Sequence, residues 1–479
     1  MLSAADTIVA IATPAGRSAL GIVRLSGPQA KQIAHRLLGD QVTLPPRRAT
    51  FARVGGASRS SSLEPRGTVG DQLLATFFPS PHSATGEDVV ELSAHGNPVI
   101  LGAIVQASIG AGARLAEPGE FSLRGYLHGK VDLVQAEAVR DLIEARTPLQ
   151  ARTAFEQLEG GLTDAIRAIE AELFDLIARL EASLDFPDEG YHFVEPGHAH
   201  LAIGAIRGLI GQRLSDARRG RLIREGARVA ILGTPNVGKS SLFNRLLNAE
   251  RAITSEIPGT TRDVISEQVD VHGFVLSLID TAGVRETVDC VEREGVARAR
   301  AAAAGADLCL LVVDASRPLA PGDRELLRVT PPDHSLLIVN KTDLPRAWDQ
   351  SGELAWSGAT AEVAATTGAG FEELARAIVR RLNQADVSEF APGISNVRHI
   401  TLLESADRAL ERAEGSLGAI AIPDALGSCQ DRSASSSEVP EEFVLVDLHD
   451  AALHLQEVTG RRTSDDLLQH VFARFCLGK

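Results

Sequence analysis

The chain has 479 residues, of which 44% are hydrophobic and 23% charged, and its formal net charge is −15. These values are typical of a globular protein, and the length allows about three domains with cores of their own. The net negative charge argues against a protein that binds nucleic acid broadly and without specificity.

The N-terminal sequence, the apolar runs and the cysteine spacing argue against a membrane or secreted protein, a disulfide framework and a zinc site. No run of eighteen apolar residues occurs, and residues 1–6 lack the basic-then-apolar layout of a signal peptide, so we expect a cytoplasmic protein without a membrane segment. The cysteines are scattered without CxxC spacing, which indicates neither a disulfide framework nor a zinc site. They are Cys290, Cys309, Cys429 and Cys476.

Residues 1–125 predict a domain that mixes strands and helices. Arg24 and Glu91 are charges within otherwise apolar strand patterns, where an isolated ion is costly to bury. They either lie on the outward face of an edge strand, form a structural pair, or belong to a site. The predicted strands are 7–12, 21–26, 73–78 and 88–94, the predicted helices are 28–38 and 98–110, and 58–62 is a predicted exposed loop.

Helical periodicity governs two separated stretches, 126–225 and 388–479. Apolar residues recur at steps of three and four until an acidic, proline-containing stop near residue 185. Residues 226–387 are therefore predicted to be a domain inserted into a discontinuous helical domain. The helices are expected at 166–184, 401–414 and 443–458, a mobile loop at 427–437, and a basic cluster at 213–228 that is read as a solvated helix face rather than an RNA contact.

The segment 233–240, GTPNVGKS, follows an apolar run at 229–232 and precedes a helix pattern at 241–247. This order of strand, glycine-rich turn and helix predicts a phosphate-binding loop, whose backbone N–H groups converge on phosphate oxygens. Lys239 is then expected to reach the β- and γ-phosphates, and the Ser240 hydroxyl to bind Mg²⁺.

Two further motifs complete a nucleotide site. The DTAG segment 280–283 ends a strand pattern, which places Asp280 where it can hold Mg²⁺ through water. The NKTD segment 340–343 ends another apolar strand. The Asp343 carboxylate can accept hydrogen bonds from the N1–H and the exocyclic amino group of guanine, donors that adenine lacks, so this motif selects GTP.

The sequence also departs from Ras-type GTPases. Val284 stands where a water-orienting glutamine is expected, although acidic residues including Glu292 follow in the same segment. The Asn236 amide oxygen, beside the phosphates, is a candidate ligand for a monovalent cation that would do the work of an arginine finger. The alternative is that Asn236 only shapes the turn.

Lysine is scarce, because only five of the 48 basic residues are lysine. A chain that uses arginine elsewhere is expected to keep lysine where a slim ammonium is needed. Lys239 and Lys341 are such positions. Lys130 and Lys479 are therefore functional candidates, with solvated surface residues as the alternative.

Together these motifs, with IPGTTRD, VERE, DFPDE, the N-terminal TIVAIATPAGRSALGIVRLSG and the terminal FCLGK, resemble the MnmE (TrmE) family of tRNA-modification GTPases over nearly the whole chain. The resemblance implies a homodimer, formed through an N-terminal domain that binds a tetrahydrofolate derivative (5-formyl- or methylene-tetrahydrofolate). It implies a flavoprotein partner, MnmG (GidA), with which a carboxymethylaminomethyl or aminomethyl group is added to C5 of the wobble uridine of certain tRNAs. It also implies K⁺- and GTP-dependent approach of the G domains.

The resemblance implies residue roles as well. Glu292 is expected to orient the attacking water through a bridging water, and Cys476 matches a terminal cysteine whose role stays open. The implied K⁺ ligands are Asn236, Ser255, Ile257 and Thr260, the Mg²⁺ ligands are Ser240 and Thr261, and the folate contacts are Arg24, Glu91, Lys130 and Lys479. The GTP-binding residues are Asn236, Val237, Gly238, Lys239, Ser240, Ser241, Ser255, Glu256, Ile257, Pro258, Gly259, Thr260, Thr261, Asp280, Thr281, Ala282, Gly283, Asn340, Lys341, Thr342 and Asp343.

One motif departs from the family pattern. The last guanine motif, usually SAK or SAR before TG, reads Ala364-Ala365-Thr366, so backbone contacts are expected to remain while the serine side chain is lost.

Two other functions share the GTPase motifs. A ribosome-assembly GTPase should add an RNA-binding module, and a regulatory GTP switch should hydrolyse slowly. The folate-type N-terminal domain is the feature that separates them.

Overall fold

The computed structural model describes residues 6–55, 70–185, 196–249, 251–252, 266–280, 305–348, 356–383, 394–421, 441–475 and 478. The chain divides into two compact units, Met1–Arg140 with Gln456–Lys479, and Asp141–Leu455. The division into three domains stays a prediction. No helix in the described ranges is both long enough and apolar enough to cross a membrane.

The first unit contains a six-stranded sheet in the order β3-β4-β5-β2-β1-β6. Neighbouring strands are antiparallel except β1 and β6, which are parallel. The strands are β1 (Ile8–Ile11), β2 (Ser18–Ser26), β3 (Thr50–Val54), β4 (Asp71–Phe78), β5 (Val89–Gly96) and β6 (Arg114–Leu115). The helices up to the unit boundary are α1 (Ala30–Leu38), α2 (Pro98–Gly110), α3 (Glu120–Leu127) and α4 (Leu133–Glu144), and α4 crosses that boundary.

One face of this sheet forms the main core of the unit. Alternation along the strands buries residues such as Val23 and Leu92 against Ile33 of α1 and Ile104 of α2. Helix α2 begins where the sequence predicts, because Pro98 occupies the first turn and the Asn97 side chain accepts from the N–H of Val99 at 2.9 Å.

The C-terminal part of the chain belongs to the same unit. Helix α14 (Asp465–Phe472) contributes Val471 and Phe472 to a cluster with Leu123 of α3 and Leu133 of α4. Gly478 lies against β1, since a Cβ at this residue would overlap the Ile11 carbonyl. Its φ of 91° also favours glycine, so the chain end is fitted to this surface.

The second unit contains a seven-stranded sheet in the order β13-β12-β11-β7-β10-β9-β8. The five strands from β13 to β10 are parallel, and β9 and β8 add antiparallel neighbours. The strands are β7 (Ala227–Leu232), β8 (Arg251–Ala252), β9 (Ser266–Val271), β10 (Phe274–Asp280), β11 (Leu308–Asp314), β12 (Ser335–Asn340) and β13 (Thr360–Glu362).

Both faces of this sheet are covered, as expected for parallel strands. One face packs on α9 (Lys239–Ala249) and α11 (Phe371–Asn383), and the other packs on Leu327 of α10 (Pro321–Val329). Cys309 is buried in β11, and burial raises the pKa of its thiol to about 11. It is therefore a core residue.

The remaining helices of the second unit continue the helical pattern of the sequence. Arg207 of α7 joins Asp407 and Glu414 of α12 at 3.0 and 2.6 Å, which ties these two helices together. The helices are α5 (Pro148–Leu158), α6 (Gly161–Asp185), α7 (Pro196–Ser215), α8 (Ala217–Glu225), α12 (Val397–Ala421) and α13 (Glu441–Thr459), and α13 crosses the unit boundary.

The structure confirms a multidomain α/β fold with helical segments, and each predicted strand and helix named above has a counterpart among the described elements. The sequence analysis does not predict strands β3, β6, β8, β9, β11 and β13. The predicted loops at 58–62 and 427–437 lie outside the described residues.

Candidate nucleotide-binding site

The predicted nucleotide motifs meet at one edge of the second sheet. Strand β7 lies between β10 and β11, and in open parallel sheets ligands bind beyond the carboxyl ends of strands at such a switch in strand order. Asp280 ends β10 in register with Ile231 of β7, and Asp314 ends β11 in register with Asn340 of β12. The ends of these strands therefore bring the motifs together.

The loop after β7 has the backbone that the sequence predicts. Gly238 has a φ of 96°, and a Cβ there would overlap the amide of Asn340. A Cβ on Gly233 would lie 2.6 Å from the Val312 carbonyl oxygen. Asn236 adopts a left-handed φ of 66° although it is not glycine. Only glycine fits the close approaches, so the loop is shaped by the strands beside it.

Asn340 is buried, and both the nitrogen and the oxygen of its side-chain amide form hydrogen bonds within the protein. Its Nδ2 donates to the Val237 carbonyl at 2.9 Å, and its Oδ1 accepts from the N–H of Ala365 at 3.1 Å. One side chain therefore connects the phosphate loop to the last guanine motif. The expected backbone contacts of that motif to the guanine base stay a prediction.

Lys341 follows β12 with a φ of 63°. Its Nζ donates to Asp314 Oδ2 at 2.6 Å and to the Asn236 carbonyl at 3.0 Å. Asp314 is buried, which by itself would raise the pKa of its carboxyl, but hydrogen bonds from Lys341 and Ser316 outweigh burial and hold that pKa below its ordinary value. The lysine is therefore fixed against the phosphate loop.

A second group of contacts holds Thr234, near the start of the phosphate loop. Thr234 Oγ1 donates to Asp323 Oδ1 at 2.5 Å and accepts from Arg317 Nη2 at 2.8 Å. Asp323 is buried and also accepts from the Ala320 N–H at the start of α10. Lys239 Nζ donates to the Thr234 carbonyl at 2.9 Å. Sequence reasoning missed Asp314, Arg317 and Asp323, because no motif marks them.

The described part of the site covers Asn236 to Ser241, the backbone of Asp280, and Asn340 to Asp343. Ser240 and Ser241 lie exposed in the first turn of α9. In the described ranges, no three His, Cys, Asp or Glu residues are grouped as metal ligands. The predicted residues that lie outside these ranges are Ser255, Glu256, Ile257, Pro258, Gly259, Thr260, Thr261, Thr281, Ala282, Gly283, Glu292, Cys476 and Lys479.

The predicted folate contacts belong to the first unit. Arg24 and Glu91 are cross-strand partners on β2 and β5, with Nη2 and Oε1 2.8 Å apart. Arg24 Nη1 also donates to the Gly478 carbonyl at 3.2 Å. Lys130 is exposed in the loop after α3, where its N–H donates to the Gly125 carbonyl. The structure thus brings Arg24, Glu91 and Gly478 together.

A buried ion network in the same unit has no motif in the sequence. Arg124, only 2% exposed, contacts Glu120 at 2.9 Å, Glu87 at 3.1 Å and Asp6 at 2.6 Å. Arg114 contacts Glu120 and Asp6, each at 2.7 Å. Burial alone would raise the pKa of Glu120, but hydrogen bonds from Arg114, the Glu117 N–H and Arg124 hold it below its ordinary value.

Comparison with known proteins agrees with this arrangement. A model of the MnmE helical domain matches residues 133–476, and one of the GTP-binding protein TrmE N-terminus matches residues 7–130. The tRNA modification GTPase MnmE of Nitrosomonas eutropha is 41% identical over 482 residues, covering 99% of both chains. The protein of the same name from Koribacter versatilis is 38% identical over 478 residues, also covering 99% of both. The chain belongs to the MnmE family of tRNA modification GTPases.

The match to the MnmE family extends over both units. The tRNA modification GTPase MnmE of Aquifex aeolicus is 38% identical over 475 residues, with 99% of this chain and 100% of that protein covered. Among solved structures, the G domain of the T. maritima FeoB iron transporter is 27% identical and covers 32% of this chain and 98% of that one, with a TM-score of 0.25. That TM-score is too low to bear on function.

Proposed function

We propose that this chain is a K⁺-dependent GTPase that takes part in tRNA modification. The observation that carries the proposal is the meeting of a phosphate loop with the guanine-type motif 340–343 at one sheet edge, in a chain of the MnmE family. The polar groups at this edge suit a nucleotide, because the loop backbone faces phosphates at a helix N-terminus and Asp343 offers a carboxylate.

Different residues of this site are proposed to bind the phosphates, the guanine base and the Mg²⁺ ion of the substrate. Lys239 leaves the Thr234 carbonyl to meet the β- and γ-phosphates, and Asp343 accepts from the guanine edge. Lys341 lies along the base with its stem while its ammonium stays on Asp314. Ser240 and Thr261 are the proposed ligands of Mg²⁺, which neutralises charge on the phosphate oxygens when it is bound.

Hydrolysis needs a group in place of the Ras-type glutamine. Glu292 is proposed to orient the attacking water through a bridging water. The oxygen donors proposed for K⁺ suit a hard cation, and the left-handed backbone of Asn236 exposes its side chain beside the phosphate loop. The proposed K⁺ ligands are Asn236, Ser255, Ile257 and Thr260.

The first unit is proposed to serve the tRNA chemistry. Arg24, Glu91, Lys130 and Lys479 are the proposed contacts of a tetrahydrofolate one-carbon donor, and the ion pair of Arg24 with Glu91 beside the chain end supports this assignment. The protein is proposed to act in the cytoplasm as a homodimer with the flavoprotein MnmG. Together they would add a carboxymethylaminomethyl group to the wobble uridine of certain tRNAs.

The deciding measurement is GTP turnover by the full chain in K⁺ buffer and in Na⁺ buffer of equal ionic strength. We expect turnover to be faster in K⁺, and Asn236→Ala to lose about tenfold or more of that stimulation, because a charge-stabilising ligand is removed. Glu292→Ala should lose turnover while it still binds GDP.

Equal rates in both salts would contradict the K⁺ assignment and favour a regulatory switch or a ribosome-assembly GTPase. Unchanged turnover in Glu292→Ala would remove that residue from the catalytic machinery. Binding of a tetrahydrofolate derivative to the wild type, weakened in Arg24→Ala, is the matching test for the first unit.

A further inference from the structure

The last guanine motif lacks its usual serine, and a different hydroxyl lies beside the base-recognition carboxylate. Thr366 Oγ1 donates to Asp343 Oδ2 at 3.0 Å. We infer that Thr366 is a specificity-determining residue, which orients Asp343 so that it accepts both donors of guanine. The inference rests on the proposed role of Asp343 in binding the base.

The position of Thr366 is fixed by its neighbours in the chain. The Ala364 N–H donates to the Ala369 carbonyl at 3.0 Å, and the Gly368 N–H donates to the Ala364 carbonyl at 2.8 Å, which closes a tight turn. Gly368 has a φ of 89°, and a Cβ there would overlap the Arg245 guanidinium. The turn therefore depends on glycine at this residue.

Two contacts attach this turn to the nucleotide site. Ala365 donates its N–H to Asn340 Oδ1 at 3.1 Å, and the Thr367 carbonyl accepts from Arg245 Nη2 of α9 at 3.1 Å. Thr366 lies between these two anchors, so its hydroxyl is presented to Asp343 by backbone held on both sides. Thr366 and Asp343 are both exposed, so the anchored turn sets the backbone position from which the Thr366 hydroxyl reaches the carboxylate.

The chemistry of the base explains what this bond would do. A carboxylate has lone pairs for about four acceptor positions, so Asp343 can accept from Thr366 and still meet two donors of guanine. Accepting N1–H and the exocyclic amino group together requires one orientation of the carboxylate plane. Accepting N1–H alone, as from hypoxanthine, tolerates rotation. A fixed carboxylate therefore favours guanine over hypoxanthine more than a free one does.

The experiment measures dissociation constants of GDP and IDP for the full chain by titration against a fluorescent GDP analogue. We expect Thr366→Val, which keeps the shape and removes the hydroxyl, to reduce the ratio of IDP to GDP dissociation constants about fivefold, the size expected from one hydrogen bond. Thr366→Ser keeps a hydroxyl and should restore the wild-type ratio.

A matched control distinguishes a loss of preference for GDP over IDP from a general disruption of the turn that contains Thr366. Thr367→Val removes the neighbouring hydroxyl, which accepts from Ala369 within the turn, and should leave the GDP-to-IDP preference unchanged even if both affinities fall. A wild-type ratio in Thr366→Val, or an equal loss of GDP and IDP binding, would overturn the inference. A wild type that shows no preference for GDP would instead overturn the proposed role of Asp343.

Discussion

At the scale of single residues, the site depends on side chains that hold other functional groups. Lys341 is predicted from its motif to lie along the base, yet its ammonium is 2.6 Å from Asp314 and 3.0 Å from the Asn236 carbonyl. Asp314 is 4% exposed and the Lys341 side chain is 32% exposed, so the carboxylate is shielded from water while the lysine remains partly accessible. The buried carboxylate sets where the lysine stem lies, and hence the surface that we expect the base to contact.

Replacing this carboxylate tests that argument. Asp314→Asn should weaken GDP binding by about tenfold, because a charge-assisted hydrogen bond contributes about 1.5–3 kcal/mol and the lysine is partly exposed. GDP affinity by fluorescence titration is the measurement. Asp307→Asn is the matched control, since Asp307 precedes the opposite end of β11 and accepts from the Arg228 N–H. Equal losses in both variants would contradict a specific role for Asp314.

At the scale of helices and strands, the sequence predicted elements whose signals are local. Helix α2 coincides with the helix predicted at 98–110 from its apolar pattern, and the structure shows Asn97 and Pro98 at its start. Strand β6 could not be predicted from the sequence, because two residues show no periodicity. Its partner β1 also lies more than a hundred residues earlier in the chain. Arg24 and Glu91 were each noticed, but their pairing depends on the register of β2 and β5, which no local pattern encodes.

Glycines within helices give a paired prediction at this scale. Gly208 of α7 is exposed, and a Cβ there has open space, so Gly208→Ala should stabilise the protein by about 0.5–1 kcal/mol through helix propensity. In α8, a Cβ on Gly220 would overlap the Ile394 carbonyl. Gly220→Ala should therefore destabilise by about 1–3 kcal/mol.

Urea unfolding followed by circular dichroism measures both free energies of unfolding. The two substitutions are chemically identical, so the sign of the difference reports only the surroundings of each helix. Destabilisation by Gly208→Ala, or stabilisation by Gly220→Ala, would show that the packing of α7 or α8 differs from that described.

At the scale of the whole molecule, stability should depend on pH through carboxylates that are ion-paired in the folded chain. Glu120 is the clearest case, because its folded pKa lies below the ordinary value of 4.5. Asp6 shifts in the same direction, where hydrogen bonds from Arg114 and Arg124 outweigh the opposing effect of burial. A lowered folded pKa contributes stability above the unfolded pKa, and that contribution is lost as the pH falls through the folded value.

We therefore expect the urea midpoint to fall as the pH is lowered from about 5 to about 3. Glu120→Gln should be less stable at the higher pH and should show a shallower dependence, because it removes one titrating group and leaves Arg114 and Arg124 less compensated. Parallel pH profiles for the variant and the wild type would exclude Glu120 as a source of the acid sensitivity.

In the candidate site, the sequence predicts the motif residues but not the residues that hold them in place. The position of these motifs at strand ends could be predicted, because phosphate and guanine recognition require particular residue types at fixed spacing after a strand. Their supports could not be predicted. Arg317 and Asp323 reach Thr234 from the segment after β11, and Thr366 reaches Asp343 from another turn, so these contacts exist only once the strands are assembled.

The two-ended amide of Asn340 has a consequence for how a nucleotide is held. It bonds the phosphate loop through Val237 and the last guanine motif through Ala365. A displacement of one loop therefore disturbs a side chain that the other loop also contacts. By thermodynamic reciprocity, if filling the phosphate subsite strengthens base binding by some factor, filling the base subsite strengthens phosphate binding by the same factor. We therefore expect the base and the phosphates to bind cooperatively, although the residues proposed to bind them come from different strands.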